Sequence, residues 1–492
     1  MNRQIQKVNP ERSRRVRTRM APSPTGEYHI GHIRTLLYNY AFAKKEKGDF
    51  ILRIEDTDRE RYVEGASERI LDVIESYGLG WDEGPRVGGP HEPYFQSQRL
   101  EIYQKHAQIL LDRGAAYYCF CTQERLEKMR EEQKAQGVVS TKYDRLCLKL
   151  DESEIGRNLK EKLPHVIRMK VPDNKEVAFN DLVDGDISFP SNDIDDQVLI
   201  KSDGFPTYHF AVVVDDHLME ISHVMRGNDW ISSTPKHVLL YQAFGWGMPY
   251  FAHIPNLKEM GAGRKLSKRF GAVAAQEFLN EGYLPEAVLN FLMFLGWNPG
   301  TEKEFYNLEE FIIDFSIDKI HKTDLVAFDR NKLLWMNSQY IQKSQISSLK
   351  SQIYKFFGGK YEEDLIERVL PLVRTRIKTL KEFEEIAGFF FEKPKIDKKM
   401  LGNGWERHLR VARETIENLD SWRLEDLNDG LMKEIEKNVF KTGEFFMDLR
   451  VAISCKKITP PINESIIILG KKETLTRLMS VLTNHKSPIT NH

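Results

Sequence analysis

Two clusters in this sequence have the residue types and spacing to handle phosphate. The first is His29-Ile30-Gly31-His32, which follows the breaker cluster Ala21-Pro22-Ser23-Pro24-Thr25-Gly26 and opens a helical pattern. A helix start offers phosphate its N–H groups and the positive end of its dipole. Gly31 lets a base or ribose come close to the backbone. Two imidazoles three residues apart share a helical face and can donate to triphosphate oxygens. Two surface histidines would also fit these four letters, whereas a zinc pair is expected as His-Glu-x-x-His. The second cluster is Gly261-Ala262-Gly263-Arg264-Lys265-Leu266-Ser267-Lys268-Arg269, a glycine-hinged loop with four cations. Cations above a triphosphate stabilise the charge that develops as pyrophosphate leaves. Alone, the loop would pass for a solvated basic segment. The two clusters, in this order and about 230 residues apart, are jointly specific.

A third cluster is made of thiols. Three of the four cysteines are Cys119, Cys121 and Cys147, with Tyr143 four residues before the last and no histidine between Cys121 and Cys147. Zinc takes four ligands, so the group reads either as a metal clip or as free structural thiols. Glu55, Asp56 and Asp58 could hold a divalent cation, but acidic residues after a strand more often set a turn. Asp215-Asp216-His217 reads as a loop that closes a pocket.

These residues must be positioned by a layered scaffold. Val16–Met20 reads as a strand, His29 to Lys47 as a helix closed by Gly48, Phe50–Ile54 as a strand, and Glu64 to Tyr77 as a helix closed by Gly78. That order begins a doubly wound α/β unit. The apolar run Tyr208–Val214 predicts a buried strand, Thr234 to Phe244 a helix, and Phe251–Pro255 a strand. The simplest account is one α/β domain over residues 16–100 and 208–258, interrupted by an insertion at 101–207. Beyond residue 300 helical patterns dominate: Val326–Tyr340, Glu362–Glu385, Gly404–Leu419 and Leu431–Leu449. The fold class is therefore multidomain α/β with an all-α carboxy-terminal part.

At 492 residues the chain has room for about three domains. Its 72 Lys+Arg nearly balance 73 Asp+Glu, which excludes wholesale polyanion binding but hides an asymmetry. Residues 1–320 carry a net −7 and residues 321–492 a net +6, so the second part is the better candidate to meet nucleic acid. Residues 1–15 form a basic tail without the apolar segment of a secretory signal. Four cysteines in so long a chain suit a reducing compartment, and no apolar stretch nears the ~18 residues of a membrane span. The location these features predict is cytoplasmic.

The two phosphate clusters resemble the paired signatures of class I aminoacyl-tRNA synthetases. Arg19-Met20-Ala21-Pro22-Ser23-Pro24-Thr25-Gly26 and Arg53-Ile54-Glu55-Asp56-Thr57-Asp58 resemble the glutamyl members in particular. So do Lys201-Ser202-Asp203-Gly204-Phe205-Pro206-Thr207-Tyr208-His209-Phe210, Val214-Asp215-Asp216-His217 and Gly282-Tyr283-Leu284-Pro285-Glu286-Ala287. The likeness covers nearly everything after residue 16.

The resemblance implies a bacterial-type glutamate ligase. It would form glutamyl-adenylate from L-glutamate and ATP, then transfer glutamate to the 3′ end of tRNA(Glu). By motif match, His29, His32, Lys265 and Lys268 are catalytic and, with Gly31 and Ser267, bind ATP, with Mg²⁺ on the triphosphate. The matching glutamate-site positions are Arg19, Ser23, Glu55, Tyr208 and Arg226. Glutamate has two carboxylates and one ammonium, so Glu55 would take the ammonium, while Arg19, Tyr208 and Arg226 hold the carboxylates. Some relatives carry zinc on a Cys-x-Cys, Tyr-x-x-x-Cys set, which implies Cys119, Cys121, Tyr143 and Cys147 here. The resemblance further implies a Rossmann-type catalytic domain, an inserted acceptor-end-binding domain at 101–207, a stem-contact region at 259–335 carrying the basic loop, and an anticodon-binding region at 336–492. Arg374 and Arg376 would meet the anticodon from a helix. The chain is expected to act as a monomer. The alternatives are an enzyme that also charges tRNA(Gln) with glutamate, a glutaminyl enzyme, which Arg226 disfavours, and an RNA-binding paralogue without catalysis.

Overall fold

A computed structural model describes residues 15–261, 266 and 273–483. The basic tail, apart from Arg15, and Lys265, Ser267 and Lys268 lie outside the described residues. The chain divides into two compact units, residues 1–277 with 289–329, and residues 278–288 with 330–492.

The first unit is built on two β-α-β steps. Strand Arg17–Met20 runs parallel to Asp49–Leu52, with helix Ile30–Lys45 between them. Strand His223–Gly227 runs parallel to Tyr250–Ile254, with helix Thr234–Phe244 between them. The Ser222 N–H donates to the Arg17 carbonyl at 3.0 Å, and the Arg17 N–H donates to Ser222 Oγ at 2.7 Å, which seats the two steps side by side. Beyond Tyr250–Ile254 the hairpin Glu176–Asp181 and Gly185–Pro190 extends the layer, joined in parallel where Asp181 faces Phe251. Ligands of such sheets gather at the carboxyl ends of the strands. Arg19, Arg53, Arg226 and His253 all lie at or just beyond those ends. The segment 101–207 belongs to the same compact unit and adds an antiparallel sheet of Ala116–Cys119, Val166–Met169 and Val198–Ile200.

The run Tyr208–Val214 is not a strand. It forms the helix Tyr208–Leu218, which also contains Asp215 and Asp216, so these are not a loop. The run is buried on every side (Phe210 through Val214 are at most 1% exposed), and a continuous apolar stretch has no period to separate helix from strand. The helix has a functional consequence. At ~1.5 Å per residue it brings Tyr208 and Asp216 within about 12 Å along one face, where a strand would hold them twice as far apart.

The second unit is all-helical, but its breaks differ from the sequence pattern. Glu362–Glu385 is two helices, Glu363–Val373 and Glu382–Phe391. Pro371, inside the first helix, has no N–H to give the Glu367 carbonyl, which weakens its last turn, and the helix ends two residues later. Arg374-Thr375-Arg376-Ile377-Lys378 therefore lies in the connecting turn rather than on a helix, with Arg374 half-buried and Arg376 and Lys378 exposed. Leu431–Leu449 is likewise interrupted, into Leu424–Lys437 and Thr442–Ser454, at Val439 in the left-handed region with φ 54°. The segment expected as one helix from Val326 begins as strand Leu325–Phe328 in the first unit, and helix Arg330–Lys343 follows in the second. The helices pack on a shared core that includes Val369, Val373, Phe383, Leu409, Leu449 and Ile453.

Candidate active site

His29 caps the helix Ile30–Lys45, and its Nδ1 accepts the Gly31 N–H at 2.9 Å. The Ile30 N–H donates to the Val273 carbonyl at 2.8 Å and the His32 N–H to the His29 carbonyl at 2.8 Å. The first three amides are thus engaged within the protein. This corrects the expectation of free N–H groups; what the helix end offers phosphate is its dipole and the imidazoles. A Cβ at Gly31 would stand 3.1 Å from His29 Nδ1, so the glycine also keeps room for the cap. His29 and His32 have ring centroids 6.0 Å apart. Burial lowers the pKa of His29. Desolvation in the cleft, followed by repulsion from His29, takes His32 down to about 4 although its side chain keeps access to solvent. Both rings are therefore neutral at pH 7. Leu266, within the basic loop, donates its N–H to the Leu257 carbonyl at 3.0 Å and accepts a hydrogen bond from His29, so the two motifs meet.

The predicted glutamate residues converge, apart from Ser23. Arg19 is 4% exposed and pairs with Asp216 at 3.2 Å. Glu55 is 4% exposed and accepts from Arg53 Nη2 at 2.9 Å. Burial pushes its pKa up to about 7, against the opposing pull of Arg53 and Arg19. Tyr208 lies in the field of Glu55, Arg226 and Arg19, and burial raises its pKa to about 12. Its hydroxyl is within hydrogen-bonding reach of Arg226, and its ring centroid is 4.7 Å from that of Trp230. Ser23 is exposed on the turn in which the Thr25 N–H donates to the Ser23 carbonyl at 2.9 Å.

Arg226 differs from the other buried arginines of this pocket. Arg19, Arg53 and Arg99 each face a carboxylate: Asp216, then Glu55 with Asp215 and Asp216, then Asp215. The guanidinium of Arg226, on a residue only 5% exposed, is held by Thr234 Oγ1 at 2.8 Å, His253 Nε2 at 3.2 Å and His237 Nδ1 at 3.3 Å. Burial pushes its pKa down and the nearby Arg19 adds to this, as expected of a cation with no anion in contact. A buried cation so placed gains from an incoming anion.

Sequence reasoning missed the network that holds these groups. Arg53 Nη1 donates to Asp216 Oδ1 at 2.9 Å; Asp215 accepts from Arg99 at 2.8 Å, Gln96 at 2.9 Å and Tyr103 at 2.7 Å. The one available signal was a pair of aspartates closing an apolar run. Asp56 accepts from Ser97 and Asp58 from Arg61, so the acidic run sets turns.

The thiols do come together. The Sγ atoms of Cys119, Cys121 and Cys147 all lie within 4.8 Å of one another, the only such metal-ligating group among the described residues. The Cys121 and Cys147 sulfurs are 3.5 Å apart, near the ~3.8 Å that two Zn–S bonds of ~2.3 Å at a tetrahedral angle require. The Tyr143 hydroxyl is 3.3 Å from Cys121 Sγ and accepts the Cys147 N–H at 2.9 Å. A hydrogen bond from Cys147 holds the Cys119 pKa down at about 4, and Arg125 Nη1 lies 3.4 Å from Cys121 Sγ. Thiolate character thus falls on Cys119, while the same hydrogen bond and burial raise the Cys147 pKa.

An α/β layer with a histidine-capped helix start and a buried arginine held by neutral groups suits a nucleotide-dependent enzyme acting on an acidic substrate. The family described as tRNA synthetases class I (E and Q), catalytic domain, matches residues 15–335, and an anticodon binding domain matches residues 345–482. The chain belongs to the class I tRNA synthetases of the E and Q group. It is 43% identical to a glutamate–tRNA ligase of Clostridium tetani over 96% of this chain and 99% of that one. It is 42% identical to a glutamate–tRNA ligase of Clostridioides difficile over 95% and 99%. The crystal structure of a glutamate tRNA ligase from Elizabethkingia meningosepticum in complex with its amino acid superposes with a TM-score of 0.84 at 35% identity, over 96% of this chain and all of that one.

Proposed function

We propose that this chain is a glutamate–tRNA ligase: it activates L-glutamate with ATP, releases pyrophosphate, and transfers glutamate to the 3′ end of tRNA(Glu). The single observation that carries the choice of amino acid is the buried Arg226 cation held only by neutral groups. The α-carboxylate of glutamate must stay nucleophilic toward the α-phosphate of ATP, and a strong bidentate clamp would oppose that. We therefore assign Arg226, with Tyr208, to the side-chain carboxylate and Glu55 to the ammonium. Arg19, already paired with Asp216, shapes the pocket wall with Ser23 at its rim. His29, Gly31 and His32 take ATP from the helix end, and Lys265, Ser267 and Lys268 take it from the basic loop. Phosphoryl transfer of this kind rests on positioning and charge stabilisation, to which Mg²⁺ adds by neutralising the triphosphate. In this reading the segment 101–207 meets the acceptor end, Arg374 and Arg376 meet the anticodon, and the enzyme works in the cytoplasm.

ATP–pyrophosphate exchange tests the reading, run with glutamate or glutamine, with and without tRNA. Exchange with glutamate in the presence of tRNA supports it. Exchange driven only by glutamine, or none with tRNA present, rules it out.

We also assign a structural zinc to Cys119, Cys121, Cys147 and Tyr143, whose spacing suits tetrahedral coordination. Zinc would cross-link strand Ala116–Cys119 to the segment around Cys147. Protein purified without chelators is expected to contain about one zinc per chain by elemental analysis. Cys147→Ser is expected to remove most of it and lower the melting temperature. Metal-free wild-type protein would show that the thiols are purely structural.

A further inference from the structure

The proposed anion site needs Arg226 held firmly without loss of its charge, and a buried chain of groups behind it does both. Asp181 ends the strand Glu176–Asp181 and is 2% exposed; His253, on the neighbouring strand, is 1% exposed. The Asp181 carboxylate accepts the Val183 N–H at 2.9 Å, the Asp184 N–H at 3.0 Å and the His253 N–H at 3.2 Å. Its Oδ2 lies 2.6 Å from His253 Nδ1. A carboxylate so placed accepts, so the His253 proton sits on Nδ1 and the lone pair of Nε2 faces outward. Arg226 Nε donates to that lone pair at 3.2 Å.

The other two nitrogens are fixed in the same manner. Thr234 Oγ1 gives its proton to the Trp230 carbonyl at 2.9 Å and so accepts from Arg226 Nη2. His237 Nε2 lies 3.0 Å from His209 Nδ1; with the proton on Nε2, His237 Nδ1 accepts from Arg226 Nη1. Burial lowers the pKa of all three histidines, so the rings are neutral acceptors. Every nitrogen of Arg226 thus meets an uncharged acceptor, and the carboxylate that organises one of them stands one imidazole away.

We propose that Asp181 and His253 are positioning residues that aim Arg226 at the substrate's side-chain carboxylate and so set the preference for glutamate over its amide. The proposal rests on the assignment of Arg226 above. A carboxylate in direct contact, as Asp216 is with Arg19, would orient the guanidinium but neutralise it. Acting through His253, Asp181 supplies the orientation and leaves the positive charge for the ligand. An arginine free to swing could accommodate a carboxamide as well as a carboxylate.

The test is exchange kinetics with tRNA present for Asp181→Asn, His253→Ala and His253→Gln, with Arg226→Gln as the reference. The carboxamide introduced by Asp181→Asn can donate to His253 Nδ1, which moves the ring proton to Nε2 and sets donor against donor at Arg226. The expected result for Asp181→Asn is a roughly 10-fold rise in the KM for glutamate, an unchanged KM for ATP, and a smaller glutamate-to-glutamine ratio of kcat/KM. His253→Ala is expected to do the same, and His253→Gln to recover most of the loss, because its Oε1 accepts from Arg226 while its amide donates to Asp181. Unchanged glutamate KM in Asp181→Asn, or a kcat loss that tracks thermal stability with both KM values unmoved, overturns the proposal. If Arg226→Gln raises the glutamate KM while the other variants do not, only the positioning role fails. If Arg226→Gln leaves it unchanged, the assignment of Arg226 fails, and the positioning role with it.

Discussion

Replacing Arg226 by alanine is expected to raise the KM for glutamate by roughly two to three orders of magnitude, with the KM for ATP nearly unchanged. Truncating one member of a desolvated, hydrogen-bonded charge pair costs ~2–5 kcal/mol, which corresponds to about 30-fold to several thousand-fold in affinity. The upper part of that range applies because Arg226 is 5% exposed, so water cannot replace the lost contact. The residues assigned to ATP, His29 and His32, stand at the start of helix Ile30–Lys45, whereas Arg226 is on strand His223–Gly227, and they share none of the hydrogen bonds that hold Arg226. Arg226→Lys is expected to recover only part of the loss, since an ammonium cannot reproduce the planar fork. Pyrophosphate exchange over a wide range of glutamate concentrations gives the answer. An unchanged glutamate KM would remove Arg226 from the pocket.

The site thus separates two uses of buried charge. Arg19, Arg53 and Arg99 are neutralised by Glu55, Asp215 and Asp216 and form a rigid wall. Arg226 alone has no carboxylate in contact among the described arginines of this pocket, and burial raises the Glu55 pKa to about 7, so an arriving ammonium would favour its ionised form. With Arg226 assigned to the side-chain carboxylate and Glu55 to the ammonium, the proposed pocket answers two of the three charges of glutamate and leaves the α-carboxylate unclamped for its attack on ATP.

Much of this was legible in the sequence where residues close in the chain do the work. The helix opened at His29, the strand–helix–strand start Arg17–Met20 to Asp49–Leu52, and the thiol cluster each follow from spacing in the chain. The helix Tyr208–Leu218 was not legible, because burial on every face erases the period. Nor do the breaks at Pro371 and Val439 stand out, since the apolar pattern continues through both. The network around Asp216 and the Asp181–His253–Arg226 chain were beyond reach for another reason. They join residues far apart in the chain, and no local pattern encodes which buried charges will meet.

Replacing Arg53 by methionine is expected to cost about 3–5 kcal/mol, the range for breaking a buried ion pair from one side. The Arg53 side chain is fully buried and serves Glu55 at 2.9 Å and Asp216 at 2.9 Å, with Asp215 at 3.6 Å. Asp215 would keep Arg99 and Tyr103, and Asp216 would keep Arg19, but Glu55 would lose the guanidinium that offsets its burial. Its pKa would then rise further and the group would be neutral at pH 7, so the variant would also bind glutamate weakly. The pH dependence has a definite sign. Burial opposes ionisation of Asp216, but Arg19 and Arg53 more than offset it and hold its pKa low, so its stabilisation is present above the unfolded value and is lost as pH falls through the folded one. In the variant that depression shrinks, so the penalty is greatest at neutral pH and narrows as acid protonates the carboxylates. Thermal melts should show the gap between wild type and Arg53→Met closing from pH 8 to pH 5 as Glu55, whose pKa rises further in the variant, is protonated in both proteins, and closing further below pH 4 as Asp216 is protonated. Adding Glu55→Gln to Arg53→Met should restore part of the stability at pH 8, because the group left buried without its guanidinium is then uncharged. A gap that stayed constant with pH, or a double variant as unstable as the sum of the singles, would mean that Arg53 contributes packing alone.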